Sequence, residues 1–216
     1  MGSKERIERQ KLMLRQEILD AAMEMFAKEG YTHVSMRKIA HKIEYSPTII
    51  YHYFKDKAHL LSCICDDTFA ELIKRFESLG PDFGDPLMRL KMGLRVYVEF
   101  GLKHPNHYQV AFMASCAETA RYNFEGSVHE EAFNFIRDAV KDCVKQNKFR
   151  KLDVETTSQA LWASAHGLTS LLIVDKDFPW VKQDKLINYL IDLLIKGMKQ
   201  SHRYGPHGEE KARSQR

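Results

Sequence analysis

Residues 35–61 read SMRKIAHKIEYSPTIIYHYFKDKAHLL, two short helical patterns joined by a tight turn. In the first, over residues 36–43, Met36, Ile39, Ala40 and Ile43 are spaced to line one helical face. Ser35 precedes it, where an N-cap hydroxyl can accept one of the backbone N–H groups that a helix start leaves unpaired. The second pattern opens on Ser46, expected to cap in the same way, with Pro47 at the first helical position, where a missing N–H costs nothing. Starts about eleven residues apart leave three or four residues for the turn, as a helix-turn-helix requires.

The residues after Pro47 argue against an ordinary buried helical hairpin. Ile50 and Phe54 are four apart and can face a core, which leaves Thr48, Ile49, Tyr51, His52 and Tyr53 for the outer surface. Hydroxyls on a short exposed helix suit phosphate oxygens and base edges, and an isoleucine can cover a thymine methyl. Lys57 opens the next helix, where its ammonium and the helix N-terminus together suit a phosphate. The expected contacts to double-stranded DNA are therefore Ser35, Arg37, Lys38, Ser46, Pro47, Thr48, Ile49, Tyr51, His52, Tyr53 and Lys57. No arginine lies between Ser46 and Phe54, so the bidentate arginine–guanine contact is missing from this helix. Phosphate contacts by Tyr51, Tyr53, Lys57, Arg37 and Lys38 are then expected to carry most of the affinity.

The first sixty or so residues resemble the DNA-binding domain of the TetR family of bacterial transcriptional regulators. The likeness is carried by a helix over residues 18–29, Gly30-Tyr31, Ile39-Ala40, Ser46, Tyr51-His52-Tyr53-Phe54 and residues 57–61. Glu44 stands where the family usually has glycine in the turn; a left-handed backbone there would cost a non-glycine residue about 1–2 kcal/mol. Thr48 and Ile49 also depart from the family's usual small and hydroxyl residues, which bears on which bases are read.

At 216 residues, with no apolar run near the roughly 20 residues of a spanning helix, the composition is that of a soluble globular protein. The charged N-terminus lacks a signal-peptide apolar region, so a cytoplasmic location is expected. Cys63 and Cys65, two apart on a helix, point to different sides, while Cys116 and Cys143 read as small buried hydrophobes. The net charge of +4 is unevenly placed. Residues 1–60 carry 11 Lys/Arg against 8 Asp/Glu, residues 61–195 carry 16 against 19, and residues 196–216 carry 6 against 2. The N-terminal excess fits a DNA-facing domain preceded by a basic arm (Lys4, Arg6, Arg9, Lys11, Arg15), with residues 1–8 expected to be disordered.

The expected fold is all-α with about nine helices. It comprises a three-helix DNA-binding domain with its arm (residues 1–55), a helical effector-binding and dimerisation domain (56–203), and a disordered tail (204–216). Beyond residue 56 the predicted helices cover residues 57–79, the stretch after the Gly80-Pro81 break up to Lys103, short material over 106–114, a helix from near Phe124 or Ser127 to Gln146, and a final pair over 153–174 and 180–202. Trp162, His166 and Gly167 are similar to the Trp-x-x-x-His-Gly signature of one group of TetR-family C-terminal domains. Trp162 and His166 share a helical face, where packing and ligand contact are both open, and Gly167 is expected to let another helix approach closely.

Phe69, Tyr97, Phe100, Tyr108, Phe112, Met113, Phe133 and Trp162, with Cys116 and His166 among the polar groups, can form either a plain core or a ligand cavity. The resemblance favours a cavity for a small apolar or aromatic effector that alters DNA binding. The last two helices present Leu168, Leu171, Leu172, Leu186, Leu190, Ile191 and Leu194, more apolar surface than one small bundle should cover. The resemblance implies a four-helix interface in a homodimer reading a palindromic operator, in keeping with twofold symmetry. Repression is the expected outcome, with activation, or control without a small molecule, as the alternatives. An enzyme is not expected: Ser164 and His166, two apart on a helix, cannot hydrogen-bond as nucleophile and base, and neither a glycine-rich phosphate loop nor a metal-ligand spacing occurs. No cofactor and no metal site are expected.

Overall fold

The computed structural model describes residues 3–80, 84–113 and 125–199, apart from the side chains of Ser3 and Met113. Within them the chain forms nine α-helices and no strand. These are α1 (Ser3–Glu29), α2 (Met36–Lys42), α3 (Pro47–Tyr53), α4 (Lys57–Glu77), α5 (Pro86–Lys103), α6 (Pro105–Tyr108), α7 (Val128–Lys145), α8 (Val154–Val174) and α9 (Gln183–Met198). A 3₁₀ turn, Tyr31–His33, follows α1, and a π-helical turn, Gln109–Met113, continues α6. The short helical material expected over 106–114 is supplied by α6 and this π turn, while the sequence reading began α9 at residue 180 and ended α4 at residue 79. The expected arm is instead regular helix from Ser3, because α1 runs unbroken through it. The tail from residue 200 onward, including the call for residues 204–216, lies outside the described residues.

Helix starts follow local chemistry. Ser35, Asp56, Asp85, Ser127 and Asp153 each accept a backbone N–H from the first turn of the following helix, each such cap contributing on the order of 1 kcal/mol. Ser46 does not repeat this role. The Ile49 N–H that it would take is bonded to the carbonyl of Ser46 at 3.0 Å, so the cap is made by backbone.

The buried side chains form one continuous core from Ile18 to Ile195. Helix α1 packs on α2, α4, α6 and the π turn, while α5 lies among α7, α8 and α9. Arg95 ties α5 to α9 by donating to Asp184 at 2.7 Å and Asn188 at 2.8 Å, with Lys91 and Asp192 paired at 2.6 Å. The close approach expected at Gly167 is absent, since a Cβ there would meet nothing. It occurs at Gly101 on α5, where a Cβ would collide with the Thr169 methyl and the Tyr108 ring. No helix among the described residues is long and apolar enough to cross a membrane.

Two stability effects follow. Glu44 sits at φ 60° in the turn between α2 and α3. Relief of the left-handed penalty of about 1–2 kcal/mol outweighs the extra chain entropy of glycine, about 0.4–1 kcal/mol. Glu44→Gly should therefore raise the melting temperature by about 1–4 °C, and a fall would show that the turn is not strained. Gly101→Ala overpacks a site whose neighbours, Thr169 and Tyr108, are fully buried. It should lower stability by about 1–3 kcal/mol in a denaturant titration, whereas an unchanged midpoint would mean that α5 and α8 can separate freely.

Candidate functional site

Helix α3 is seven residues long and is seated by two of them. Ile50 and Phe54 are 0 % and 1 % exposed, whereas Tyr51 is 52 % exposed and Thr48, His52 and Ser46 are also on the surface. Pro47, Ile49 and Tyr53 are half-buried, so the outer face is narrower than the helical spacing suggested. Tyr53 packs against the core, its ring partly withdrawn from solvent.

The basic groups divide into free and engaged. Among the described residues Arg37 is exposed and makes no ion pair or side-chain hydrogen bond, and Lys55, which follows Phe54 and which the sequence reading passed over, is exposed as well. Lys38 is turned back, donating to Glu29 at 3.2 Å and to the His33 carbonyl at 2.9 Å. Lys42 pairs with Glu24 at 2.6 Å, which holds the Glu24 carboxyl below its usual range. Lys57 departs furthest from expectation. Its half-buried ammonium donates to the carbonyls of Tyr31 at 2.8 Å and Val34 at 3.0 Å and lies 4.0 Å from the Tyr31 ring centroid. The physical reason is that the 3₁₀ turn leaves acceptor capacity just where α4 begins, the Tyr31 carbonyl taking only a 3.4 Å bond from the Val34 N–H, and a cation over an aromatic face supplies the donors. Lys57 thus clamps the turn to α4 instead of presenting its charge outward.

In the helical bundle, Phe69, Leu72, Phe76, Tyr97, Phe112, His129, Ala132, Phe133, Ile136 and Trp162 enclose a cavity of about 20 Å³. That is room for one water and no more. Of the residues expected to line a pocket, Phe69, Tyr97, Phe112, Phe133 and Trp162 do so, while Phe100, Tyr108 and His166 lie outside it. Phe100 is buried beneath the Arg75 guanidinium and against His104. The Met113 side chain and Cys116 lie outside the described residues. His129, Leu72, Phe76, Ala132 and Ile136 were missed; the Ser127 cap, which fixes the start of α7, was the signal that could have placed His129 on its first turn.

Beside the cavity runs a buried hydrogen-bonded chain. Trp162 Nε1–H donates to the Tyr97 hydroxyl at 3.1 Å, the Tyr97 and Tyr108 hydroxyls are 3.1 Å apart, and the Tyr108 hydroxyl meets His166 Nδ1 at 2.6 Å. His166 Nε2 lies 3.4 Å from Ser170 Oγ. Burial lowers the His166 pKa and pushes the Tyr108 phenol up to about 12, so both are neutral at pH 7. A neutral imidazole accepting at Nδ1 and donating at Nε2 lets every bond point the same way along the chain. His166 is therefore a packed, hydrogen-bonded residue joining α5, α6 and α8. Phe112 stacks on Tyr108 with centroids 4.6 Å apart, so the cavity wall, the chain and α6 are in contact.

The predicted interface residues split between two faces. Leu168, Leu172 and Ile191 are buried in the chain's own core, where α8 packs on α5 and α7 and α9 packs on α5. Leu171 is exposed, and Leu186, Leu190 and Leu194 are half-buried. Beside them Val174, Phe178, Val181, Tyr189 and Leu193 are exposed, with Tyr189 at 67 % and Leu193 at 55 %.

Comparison with known proteins agrees with this architecture. Residues 18–63 match the family described as bacterial regulatory proteins, tetR family, and residues 90–194 match the tetracyclin repressor-like C-terminal domain. The HTH-type transcriptional repressor NicS of Pseudomonas putida is 23 % identical over 197 residues, covering 86 % of this chain and 92 % of that protein. An HTH-type transcriptional regulator of Staphylococcus aureus is 21 % identical, covering 84 % and 92 %. Among solved structures, the regulator FadR from Bacillus subtilis in complex with stearoyl-CoA superposes with a TM-score of 0.71 at 19 % identity, over 85 % of this chain and 98 % of that one. A tetR-family regulatory protein from Rhodococcus gives 0.70 at 18 % identity, over 87 % and 97 %. With its N-terminal helix-turn-helix and its C-terminal bundle matched to the two parts of one family, the chain belongs to the TetR family of DNA-binding bacterial transcriptional regulators.

Proposed function

We propose that the protein is a repressor that binds a palindromic operator as a homodimer and is released by a small apolar or aromatic ligand. The observation that carries the DNA half is the outer face of α3, where Thr48, Tyr51 and His52 are exposed around a helix pinned by Ile50 and Phe54. Thr48 and His52 reach base edges, Ser46, Tyr51 and Arg37 grip phosphates, and Ser35, Pro47, Ile49 and Tyr53 set the pose. Lys57 and Lys38 act from behind by holding the turn between α1 and α2. The exposed apolar strip of Leu171, Val174, Tyr189 and Leu193 on α8 and α9 supports the dimer, whose twofold axis would set two α3 helices about 34–36 Å apart, one turn of DNA, or a multiple of it.

The route from ligand to DNA follows from contact. Phe112 lines the cavity and stacks on Tyr108, whose helix packs on α1, and α1 supports α2. A shift at the cavity is thereby passed to the reading head, and by linkage a ligand that weakens DNA binding tenfold must itself bind the DNA complex tenfold more weakly. The space within this chain's aromatic cluster holds one water, so stearoyl-CoA, the ligand of the Bacillus FadR structure, is far too large for it, and a compact ligand enters only by displacing part of the wall. Of the trio similar to the Trp-His-Gly group, Trp162 and His166 act through the hydrogen-bonded chain, while Gly167 has no close neighbour to admit. A second reading, regulation without a small molecule, draws its support from the cavity's closure to about 20 Å³.

Selection of bound sequences from random DNA, followed by salt titrations on the best sequence, tests the DNA half. The slope of log affinity against log salt should flatten by about 0.9 in Arg37→Ala, a lost phosphate contact. Lys57→Ala should weaken binding with the slope unchanged, and an equal flattening would return Lys57 to the phosphates. Leu193→Glu should convert the dimer to a monomer in sedimentation and weaken binding to the two-half-site sequence at least tenfold; a dimer that persists with the glutamate in place rules out the α8–α9 face.

A further inference from the structure

The cavity is too small for any effector, yet its walls are not uniformly fixed. Phe69, Phe112 and Trp162 pack around one imidazole, that of His129, which lines the cavity with them. The His129 imidazole stacks on Phe69 with centroids 4.3 Å apart and planes 18° from parallel. The edges of its slot are closed by Phe112 at 6.3 Å and 84° and by Trp162 at 6.2 Å and 71°. One parallel face and two perpendicular ones are the surroundings that a flat aromatic ring prefers, since the quadrupole of each ring is met by an edge or an offset face.

Four of the slot's aromatic side chains, Phe69, Tyr97, Phe133 and Trp162, come from the bodies of long helices. His129 is the second residue of α7, one past Val128 and two past the Ser127 cap, so the backbone that carries it can yield by fraying one helix terminus, while Ile136 and Ala132 hold the rest of α7 in the core. We propose that the His129 side chain is a built-in occupant of an aromatic slot, and that the effector is an uncharged, planar aromatic molecule that binds by taking the place of this imidazole between Phe69 and Trp162. This narrows the ligand of the preceding section and depends on that section only for the link to DNA.

The described walls of the slot offer no partner for a charge. Among the described residues none that lines it is acidic or cationic, and the one cation among them that lies over a lining ring, Arg137 above Phe133 at 4.9 Å, is paired with Glu130 and Glu155. His129 reports the same preference, because burial alone lowers its pKa and keeps the ring neutral. A flat neutral ring loses nothing on entering, whereas a carboxylate or ammonium enters without a counter-ion.

The test uses the full-length wild-type protein with three probes of similar size: indole (planar, neutral), cyclohexanol (neutral, not planar) and N-methylquinolinium (planar, cationic). Binding is measured by calorimetry, and the His129 ring is followed by NMR, its signals assigned from the spectrum of His129→Gln. Indole should bind in the micromolar to millimolar range and at least tenfold more tightly than either other probe, and the His129 pKa should rise towards 6.5 as the ring moves into water. His129→Phe, which fills the slot with a ring that water does not reward, should weaken indole at least tenfold. Absence of indole binding up to its solubility, equal binding of all three probes, or saturation with the His129 titration unmoved would each overturn the proposal. Operator affinity is measured separately. Indole that displaces His129 without releasing DNA leaves the slot standing and removes the effector role, while release of DNA by another apolar compound with His129 undisturbed does the reverse.

Discussion

The burial of Ile50 and Phe54 is the constraint on which the DNA-reading head depends. A seven-residue helix has too few internal hydrogen bonds to persist alone, since isolated helices shorter than about 12–15 residues are marginal in water. Helix α3 exists because these two side chains, both essentially sealed from solvent, lock it against α2 and the neighbouring helices. Every polar group on its other face is positioned by that burial. The same economy explains the turn: Glu44 is held at φ 60° because the spacing of the two helices requires a left-handed residue there, and the strain is absorbed by the packing on either side.

The polar chain in the bundle follows a different logic. Trp162, Tyr97, Tyr108 and His166 place four hydrogen-bonding groups inside a hydrophobic interior, which is tolerable only because each meets another. Their mutual dependence fixes α5, α6 and α8 in one register, and Gly101 makes room for the Tyr108 ring at the crossing. A core of this kind is specific as well as stable, because any slippage strands several donors at once.

Much of this was legible in the residues, and the exceptions have physical causes. The Ser35 cap, Pro47 at the first turn of α3, the inward pair Ile50 and Phe54 and the start of α8 were read from the residues, and of the two starts left open for α7 the structure has the one at Ser127. The inward turn of Lys57 was not legible, because its partners, the Tyr31 and Val34 carbonyls, are more than twenty residues away and become available only through a 3₁₀ turn that has no sequence pattern of its own. Leu168, Leu172 and Ile191 were grouped with the outward leucines because hydropathy alone does not tell which of two apolar faces meets the bundle and which meets solvent. Helix α1 was read as starting after an irregular arm because charge density suggested solvation, yet charged residues are good helix formers, and nothing in residues 3–15 breaks the helix.

The length of α1 has a mechanical consequence. A helix of 27 residues is a rod of about 40 Å, at 1.5 Å per residue, and it bears on α6 and the π turn as well as on α2. Rotating such a lever by about 3° about one end sweeps the other through about 2 Å, most of the length of a hydrogen bond. Because α1 meets both α6 and α2, a tilt imposed on it at one contact would be carried to the other by a rigid rod, with no change inside the helix.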